Sequence, residues 1–354
     1  MNLIPVTLIT GFLGSGKTTL LNHLVCQPEL ADSLVIINEF GEMALDHMLV
    51  AHSTENLIME MSSGCLCCTI RHDLVKTLRD ITWRFARNGQ RQFQRVIIET
   101  TGLADPAPII HTLMSHPEIL SKYRLDGIVT TIDLATGMNT LDQHQEAIKQ
   151  AAVADALLLT KADLASEVQR HALLQRLNSI NPAATRWEVT NGEISAQHVL
   201  NLGLFATTDK TPDVQRWLNE EAYAAGADSH AHHHNHDHNH DVNRHDDRIH
   251  AFCYSFAEPI SDEVLTAWLE TMTAFVGSNI LRVKGILNIE GNPRPVVIHG
   301  VQHIFHPPVT LPAWPSEDRH SRLVFITQEV GRAMIEKTFA PFRQIQPKPQ
   351  ETIA

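Results

Sequence analysis

Gly11, Gly16, Lys17 and Thr18 stand at the spacing G-x-x-x-x-G-K-[ST], inside the run Thr10-Gly11-Phe12-Leu13-Gly14-Ser15-Gly16-Lys17-Thr18-Thr19. These residue types in this order bind phosphate. Glycines let the backbone curl until its N–H groups point inward at phosphate oxygens. The ammonium of Lys17 reaches β- and γ-phosphates, and the hydroxyl of Thr18 ligates Mg²⁺. A helix starting here turns its positive end to the anion. Gly14, Ser15 and Thr19 complete the expected nucleotide-binding loop. The apolar, β-branched stretch Ile4-Pro5-Val6-Thr7-Leu8-Ile9 predicts a buried strand leading in. Leu20, Leu21, Leu24 and Val25 recur at helical spacing and predict a helix leading out.

A second run, Val96-Ile97-Ile98-Glu99, reads as an apolar strand delivering a carboxylate, followed by Thr100-Thr101-Gly102. Beside a phosphate loop, such an acid polarises Mg²⁺ or its water shell, so Lys17, Thr18 and Glu99 form the expected catalytic set. Gly102 lets the backbone come close to a γ-phosphate. Thr160-Lys161-Ala162-Asp163 closes another apolar strand and nearly matches Asn-Lys-x-Asp. Guanine offers two donors to a carboxylate at Asp163 and adenine does not, which favours GTP over ATP. The stem of Lys161 would lie along the base. Asn38-Glu39-Phe40-Gly41-Glu42 could form a switch loop, with Glu39 and Glu42 touching Mg²⁺, water or a second metal; a solvated acidic turn accounts equally well for it.

Gly64-Cys65-Leu66-Cys67-Cys68 places three thiols in four residues. Soft ligands so close suit Zn²⁺ or Cu⁺ better than Mg²⁺. A structural zinc site normally has four protein ligands. A three-thiolate site at Cys65, Cys67 and Cys68 would instead hold metal exchangeably, and a redox switch is the rival reading. The imidazoles of His232, His233, His234, His236, His238 and His240 would bind Zn²⁺, Ni²⁺, Co²⁺ or Cu²⁺ weakly, as a buffer, unless the tract is a plain solvated linker.

The formal charge of −12, with 22 histidines counted as neutral, argues against nucleic acid or anionic membrane as a partner. Five cysteines, three of them clustered, are not a disulfide framework. No apolar run is long enough to span a bilayer. The opening has no basic segment followed by an apolar stretch, and the phosphate loop begins too early to leave room for a cleaved leader. A cytoplasmic location is therefore expected.

These chemical groups need a scaffold. Over residues 1–206, apolar strands at 4–9, 34–38, 95–99, 127–132, 155–160 and 185–189 alternate with helices after the phosphate loop and at 70–87, 141–152 and 164–180. That is the pattern of an α/β, doubly wound, mostly parallel sheet, which binds ligands at the carboxyl ends of its strands. Residues 207–248 lack the bulky apolar residues a core requires and read as a flexible, histidine-rich linker. From 249 to 345 a smaller α+β domain is expected, with strands at 251–256, 281–289, 295–299 and 322–327 and helices at 261–275 and 328–338.

The ordered set Thr-Gly-Phe-Leu-Gly-Ser-Gly-Lys-Thr-Thr, Asn-Glu-Phe-Gly-Glu, Gly-Cys-Leu-Cys-Cys, Glu-Thr-Thr-Gly-Leu-Ala-Asp-Pro and Thr-Lys-Ala-Asp resembles the CobW-type family of P-loop GTPases, which handle metals. Leu281-Arg282-Val283-Lys284-Gly285 and Val297-Ile298-His299-Gly300-Val301-Gln302 are similar to that family's C-terminal domain. The resemblance implies a zinc chaperone that carries Zn²⁺ on Cys65, Cys67 and Cys68 and passes it to a client metalloprotein under control of GTP and GDP. A cobalt-delivering GTPase of cobalamin biosynthesis and a non-catalytic metal buffer are the alternatives, with Co²⁺ or Ni²⁺ as alternative cargo. A nucleotide- or metal-dependent homodimer is a further expectation. Some members carry Glu immediately before the Asn-Glu-Phe-Gly-Glu segment; here Ile37 stands in that place, so a second metal site built on that Glu is not implied. No residue is an obvious arginine finger or water-orienting Gln, so slow intrinsic hydrolysis stimulated by metal or client is expected.

Overall fold

The computed structural model describes residues 3–37, 57–60, 68–203, 218–219, 222–223 and 248–343, with side chains of 57–60, 68–73 and 343 outside the described set. It divides into two compact units, Met1–Asp213 and Val214–Ala354.

In the first unit, β1 (Ile4–Gly11) leads to α1 (Lys17–Leu24), β2 (Ser33–Ile37), β3 (Leu57–Glu60) and α2 (Cys68–Arg84). A small hairpin, β4 (Ala86–Arg87) with β5 (Gln90–Arg91), precedes β6 (Arg95–Glu99), α3 (Ala107–Ser115) and α4 (Pro117–Leu120). Then follow β7 (Tyr123–Asp133), α5 (Gly137–Gln143), α6 (Gln145–Val153), β8 (Ala156–Thr160), α7 (Glu167–Ile180) and β9 (Thr185–Val189). Seven strands form one sheet in the order β3-β2-β6-β1-β7-β8-β9, every pair parallel. The doubly wound reading holds.

Several details differ from the sequence reading. β3 adds a seventh strand, and α3 and α4 fill a stretch for which no element was expected. The helix expected over 70–87 ends at Arg84, where the hairpin begins. The helix expected over 141–152 is two helices, because His144 adopts an extended conformation (φ −129°, ψ 112°) between α5 and α6. The helix expected from 164 starts at Glu167: Ser166 caps it in a reciprocal capping box with Gln169, after a short 3₁₀ turn at Ala162–Leu164.

The register explains how the sheet positions chemistry. Val35, Ile97, Ile9, Val129 and Leu158 line one face and pack against Leu20, Leu21 and Leu24 of α1. The intervening residues turn to the opposite face, where Thr130 donates to the Gln150 carbonyl of α6 at 2.8 Å. Helices thus cover both faces, and the strands present polar residues at their carboxyl ends. Ile9 and Ile37 both pair with Glu99, and Asp133 pairs with Thr160.

The second unit carries an antiparallel sheet of β10 (Ile249–Phe256), β11 (Ile280–Leu287), β12 (Val296–Val301), β13 (Ile304–Phe305), β14 (Val309–Thr310) and β15 (Ser321–Gln328). Its order is β10-β15-β11-β12-β13, with β14 paired to β12. Two helices, α8 (Asp262–Val276) and α9 (Arg332–Arg343), accompany it. Leu265, Trp268, Met272 and Val276 recur at helical spacing on α8 and share a core with Val283, Leu287, Leu323 and Phe325, which alternate along their strands. Trp268 is fully buried and its indole N–H donates to the Thr338 hydroxyl at 3.0 Å, so its polar atom is satisfied. The expected α+β architecture of this part is present. The expected linker over 207–248 lies almost wholly outside the described residues.

Candidate functional site

β1 ends on Gly11, and the loop reverses into α1 through three glycines at positive φ: Gly11 (143°), Gly14 (72°) and Gly16 (92°). Gly11 is also fixed by close packing. A Cβ on Gly11 would lie 2.2 Å from Thr131 Oγ1 and 2.6 Å from the Thr131 carbonyl. Gly16 forms the left-handed N-cap of α1, so the loop can turn its N–H groups inward at the helix's positive end. Beneath the loop, the hydroxyls of Ser15 and Thr131 are 2.6 Å apart, and Thr160 Oγ1 donates to the Ser15 carbonyl at 2.8 Å. Thr160, expected beside the base, thus ties β8 to the phosphate loop.

The cradle opens on a cavity of about 290 Å³. Gly14, Gly16, Lys17, Thr18, Thr19, Glu99, Gly102 and Lys161 all line it, so residues from three separated motifs meet at one place. Lys17 is buried, 8% exposed, and its ammonium donates to the carbonyls of Gly11 (2.9 Å) and Phe12 (3.2 Å). Thr18 Oγ1 donates to Glu99 Oε1 at 3.4 Å. A hydroxyl and a carboxylate side by side are hard oxygen donors of the type Mg²⁺ takes, so this pair fits the expected ion. Gly102 reaches the loop so closely that a Cβ would sit 2.6 Å from the Leu13 nitrogen.

At the other end of the site, Lys161 has a left-handed backbone (φ 57°), and its ammonium bonds Asp133 Oδ2 at 2.7 Å. Asp163 is exposed on the 3₁₀ turn beside Leu164, which is 66% exposed. Burial alone would raise the Asp133 pKa. The Lys161 ammonium and the N–H groups of Ala135 and Thr136 outweigh it and hold the carboxyl below the usual range.

Four participants escaped the sequence reading. Asp133 closes β7 as Glu99 closes β6, an apolar strand ending in an acid, and that repeated pattern was the available signal. Gln150 follows Ala147 and precedes Ala151 at core spacing on α6, and its side-chain N–H groups bond the carbonyls of Gly102 and Ala104. Thr131 carried no local signal, nor did the stacking of His144 on Phe12, with ring centroids 4.4 Å apart.

Of the other expected site residues, Glu39, Glu42, Cys65, Cys67 and the histidines at 232–240 lie outside the described residues. Cys68 opens α2, with its side chain outside the described set. Among the described residues, no group of three or more His, Cys, Asp or Glu side chains gathers to hold a metal, and no helix is long and apolar enough to cross a membrane.

The family profile described as "CobW/HypB/UreG, nucleotide-binding domain" matches residues 5–188, and the "Cobalamin synthesis protein cobW C-terminal domain" matches 249–343. The chain belongs to the CobW family. Among relatives, the zinc chaperone YjiA of Escherichia coli is 33% identical over 344 residues, covering 97% of this chain and 100% of YjiA. The zinc chaperone CobW of Pseudomonas aeruginosa is 30% identical over 364 residues, covering 94% of this chain and 89% of its own. The crystal structure of Zn(II)-bound YjiA GTPase from E. coli superposes with a TM-score of 0.65 at 28% identity, covering 97% of this chain and 100% of that one. The CobW profiles leave unmatched the same stretch, 189–248, that contains the histidine-rich segment.

Proposed function

We propose that this CobW-family protein is a GTP-hydrolysing zinc metallochaperone. The observation that carries the reading is the meeting of Lys17, Thr18, Glu99, Gly102 and Lys161 around one cavity, on a chain whose relatives along nearly its full length are named zinc chaperones. On this reading residues 1–206 form the GTPase domain, 207–248 a histidine-rich linker and 249–345 the C-terminal domain. The protein acts in the cytoplasm on a client metalloprotein.

The geometry suggests how the residues act. GTP enters with its phosphates over the N-terminus of α1, and Gly11, Gly14, Ser15, Gly16 and Thr19 supply the cradle. Lys17 exchanges its carbonyl partners for phosphate oxygens, a stronger, charge-assisted interaction. Thr18 and Glu99 would hold Mg²⁺, which supplies charge neutralisation for the phosphates. Asp163 accepts the two guanine donors while Lys161, steadied by Asp133, lies along the base. Glu39 belongs to the loop expected to sense the γ-phosphate. Cys65, Cys67 and Cys68 hold the zinc cargo between the phosphate loop and β6 in the chain, so a change at the γ-phosphate can alter zinc affinity. His232, His233, His234, His236, His238 and His240 buffer metal weakly.

The test is a zinc competition titration against a chromophoric chelator, with no nucleotide, with GDP–Mg²⁺ and with a non-hydrolysable GTP analogue. A variant lacking 228–246 silences the histidines. A tight one-to-one site that changes affinity with the analogue, and is lost in a Cys65/Cys67/Cys68 triple Ser variant, is expected. A tight site indifferent to nucleotide would replace this reading with simple storage.

A further inference from the structure

α6 touches both loops that flank the phosphate cavity. Its preceding residue, His144, stacks on Phe12 of the phosphate loop. Farther along, Lys149 pairs with Asp105 at 2.8 Å. Next to it, Gln150 Nε2 donates to the carbonyls of Gly102 (3.3 Å) and Ala104 (3.0 Å). Gln150 is 0% exposed, and its Oε1 is buried with no hydrogen-bond partner among the described residues. An orphaned buried amide oxygen destabilises a fold, so an apolar side chain of equal length would serve packing better. What such a replacement would lose is the pair of donors to the segment after Glu99.

We propose that Gln150 is a positioning residue that sets the Gly102–Ala104 segment for the terminal phosphate of GTP. This rests on the GTP-hydrolysis reading above. Drawing the Gly102 carbonyl toward α6 turns the following Leu103 N–H the other way across the trans peptide. α6 covers the sheet face opposite α1, so that N–H faces the side on which α1 and its cradle lie. Among the described residues the same stretch is also held by the Thr100 N–H on the Ile9 carbonyl (2.9 Å), Thr100 Oγ1 on Thr10 Oγ1 (2.8 Å) and the Ala104 N–H on the Thr101 carbonyl (3.2 Å), none of which bonds the Gly102 carbonyl itself. A diphosphate ends at the P-loop and does not use this segment. Gln150 therefore separates GTP from GDP.

The experiment compares wild type, Gln150→Met and Lys149→Met for thermal unfolding, for affinity toward GDP–Mg²⁺ and a non-hydrolysable GTP analogue, and for kcat and KM with GTP. In Gln150→Met the unfolding temperature should fall modestly, because the carbonyls of Gly102 and Ala104 lose their donor, and GDP affinity should stay level, while analogue affinity and kcat each fall about tenfold. Lys149→Met, on the surface, should move the analogue-to-GDP ratio the same way by a smaller factor. Equal weakening of GDP and analogue, or no change in either, would overturn the proposal. If Gln150→Met does not fold, an unchanged ratio in Lys149→Met overturns it instead. Wild type that neither binds nor hydrolyses GTP would sink the underlying reading, a distinguishable result.

Discussion

At the phosphate end of the site, Ser15 is 2% exposed, Lys17 8% and Glu99 6%, and a hydroxyl or carbonyl stands against each. At the proposed base end, Asp163 and Leu164 sit exposed on a single 3₁₀ turn, and Lys161 is steadied by an ion pair with Asp133. The first is a backbone shape, locked by glycines and buried contacts. The second is a set of side chains on a surface. On the proposed reading, a locked shape tolerates little substitution but would recognise only what every nucleoside triphosphate shares. Surface side chains can change one at a time, and on the proposed reading the base that is chosen would change with them.

The sharpest way to break this contrast is Gly11→Ala. Its Cβ would collide with Thr131 Oγ1 and with the Thr131 backbone, and φ of 143° disfavours any side chain. Relief requires β1 and β7 to part at their paired ends, so the cost is about 3 kcal/mol or more, with loss of all nucleotide binding. Denaturant unfolding and a fluorescent-GDP titration measure both. A variant that is stable and binds normally would show the cradle to be far less rigid than described.

Next in size is Lys17→Met. The side chain is buried but lies at the cavity rather than in the apolar core, so the fold should survive. GTP turnover should fall about a hundredfold or more, since on the proposed reading the lost cation would face the charge that develops on the phosphates. Retained turnover would mean that another cation serves the phosphates.

The same contrast explains what could be read from the chain. Gly11, Gly16, Lys17, Thr18 and Glu99 were recognisable as candidates because a phosphate- and Mg²⁺-binding site demands fixed residue types at fixed spacing. The parallel sheet was legible because buried strands are unbroken apolar runs. β3 was not, since four residues carry too little pattern. α3 was not, since it begins straight after Pro106, directly behind the Glu99–Pro106 motif that drew the reading there. The break at His144 was hidden because α5 and α6 together keep a helical apolar rhythm. Asp133 and Gln150 act on Lys161 and Gly102 from 28 and 48 residues away, and no local spacing records such a partnership.

Asp163→Asn tests the base end. The residue is exposed, so stability should move by no more than about 0.5 kcal/mol. Losing a charged acceptor for two guanine donors should weaken GTP binding roughly 10- to 100-fold. Xanthine carries a carbonyl where guanine has its exocyclic amine, so the new amide should favour XTP. Competition of GTP, XTP and ATP against a labelled nucleotide reads this directly. Unchanged preference would move guanine recognition to another residue.

The smallest expected effect lies at the joint between the two ends, in Asp133→Asn. Burial raises the Asp133 pKa, but the Lys161 ammonium and two backbone N–H groups bring it below the usual carboxylate value. A depressed folded pKa contributes stability above the unfolded value, about 3.9, and that contribution is lost as pH falls through the folded value. Lys161 is 38% exposed, so solvent screening keeps its share modest, and the substitution should cost about 1 kcal/mol at neutral pH. The gap in unfolding temperature between wild type and variant should therefore be present at pH 7 and should narrow below pH 4. GTP affinity should fall slightly, because an unanchored Lys161 must be ordered on binding, while hydrolysis of bound GTP should not change. A gap that widens in acid would mean that Asp133 is protonated in the folded protein, and the ion pair could not then be what steadies the base end.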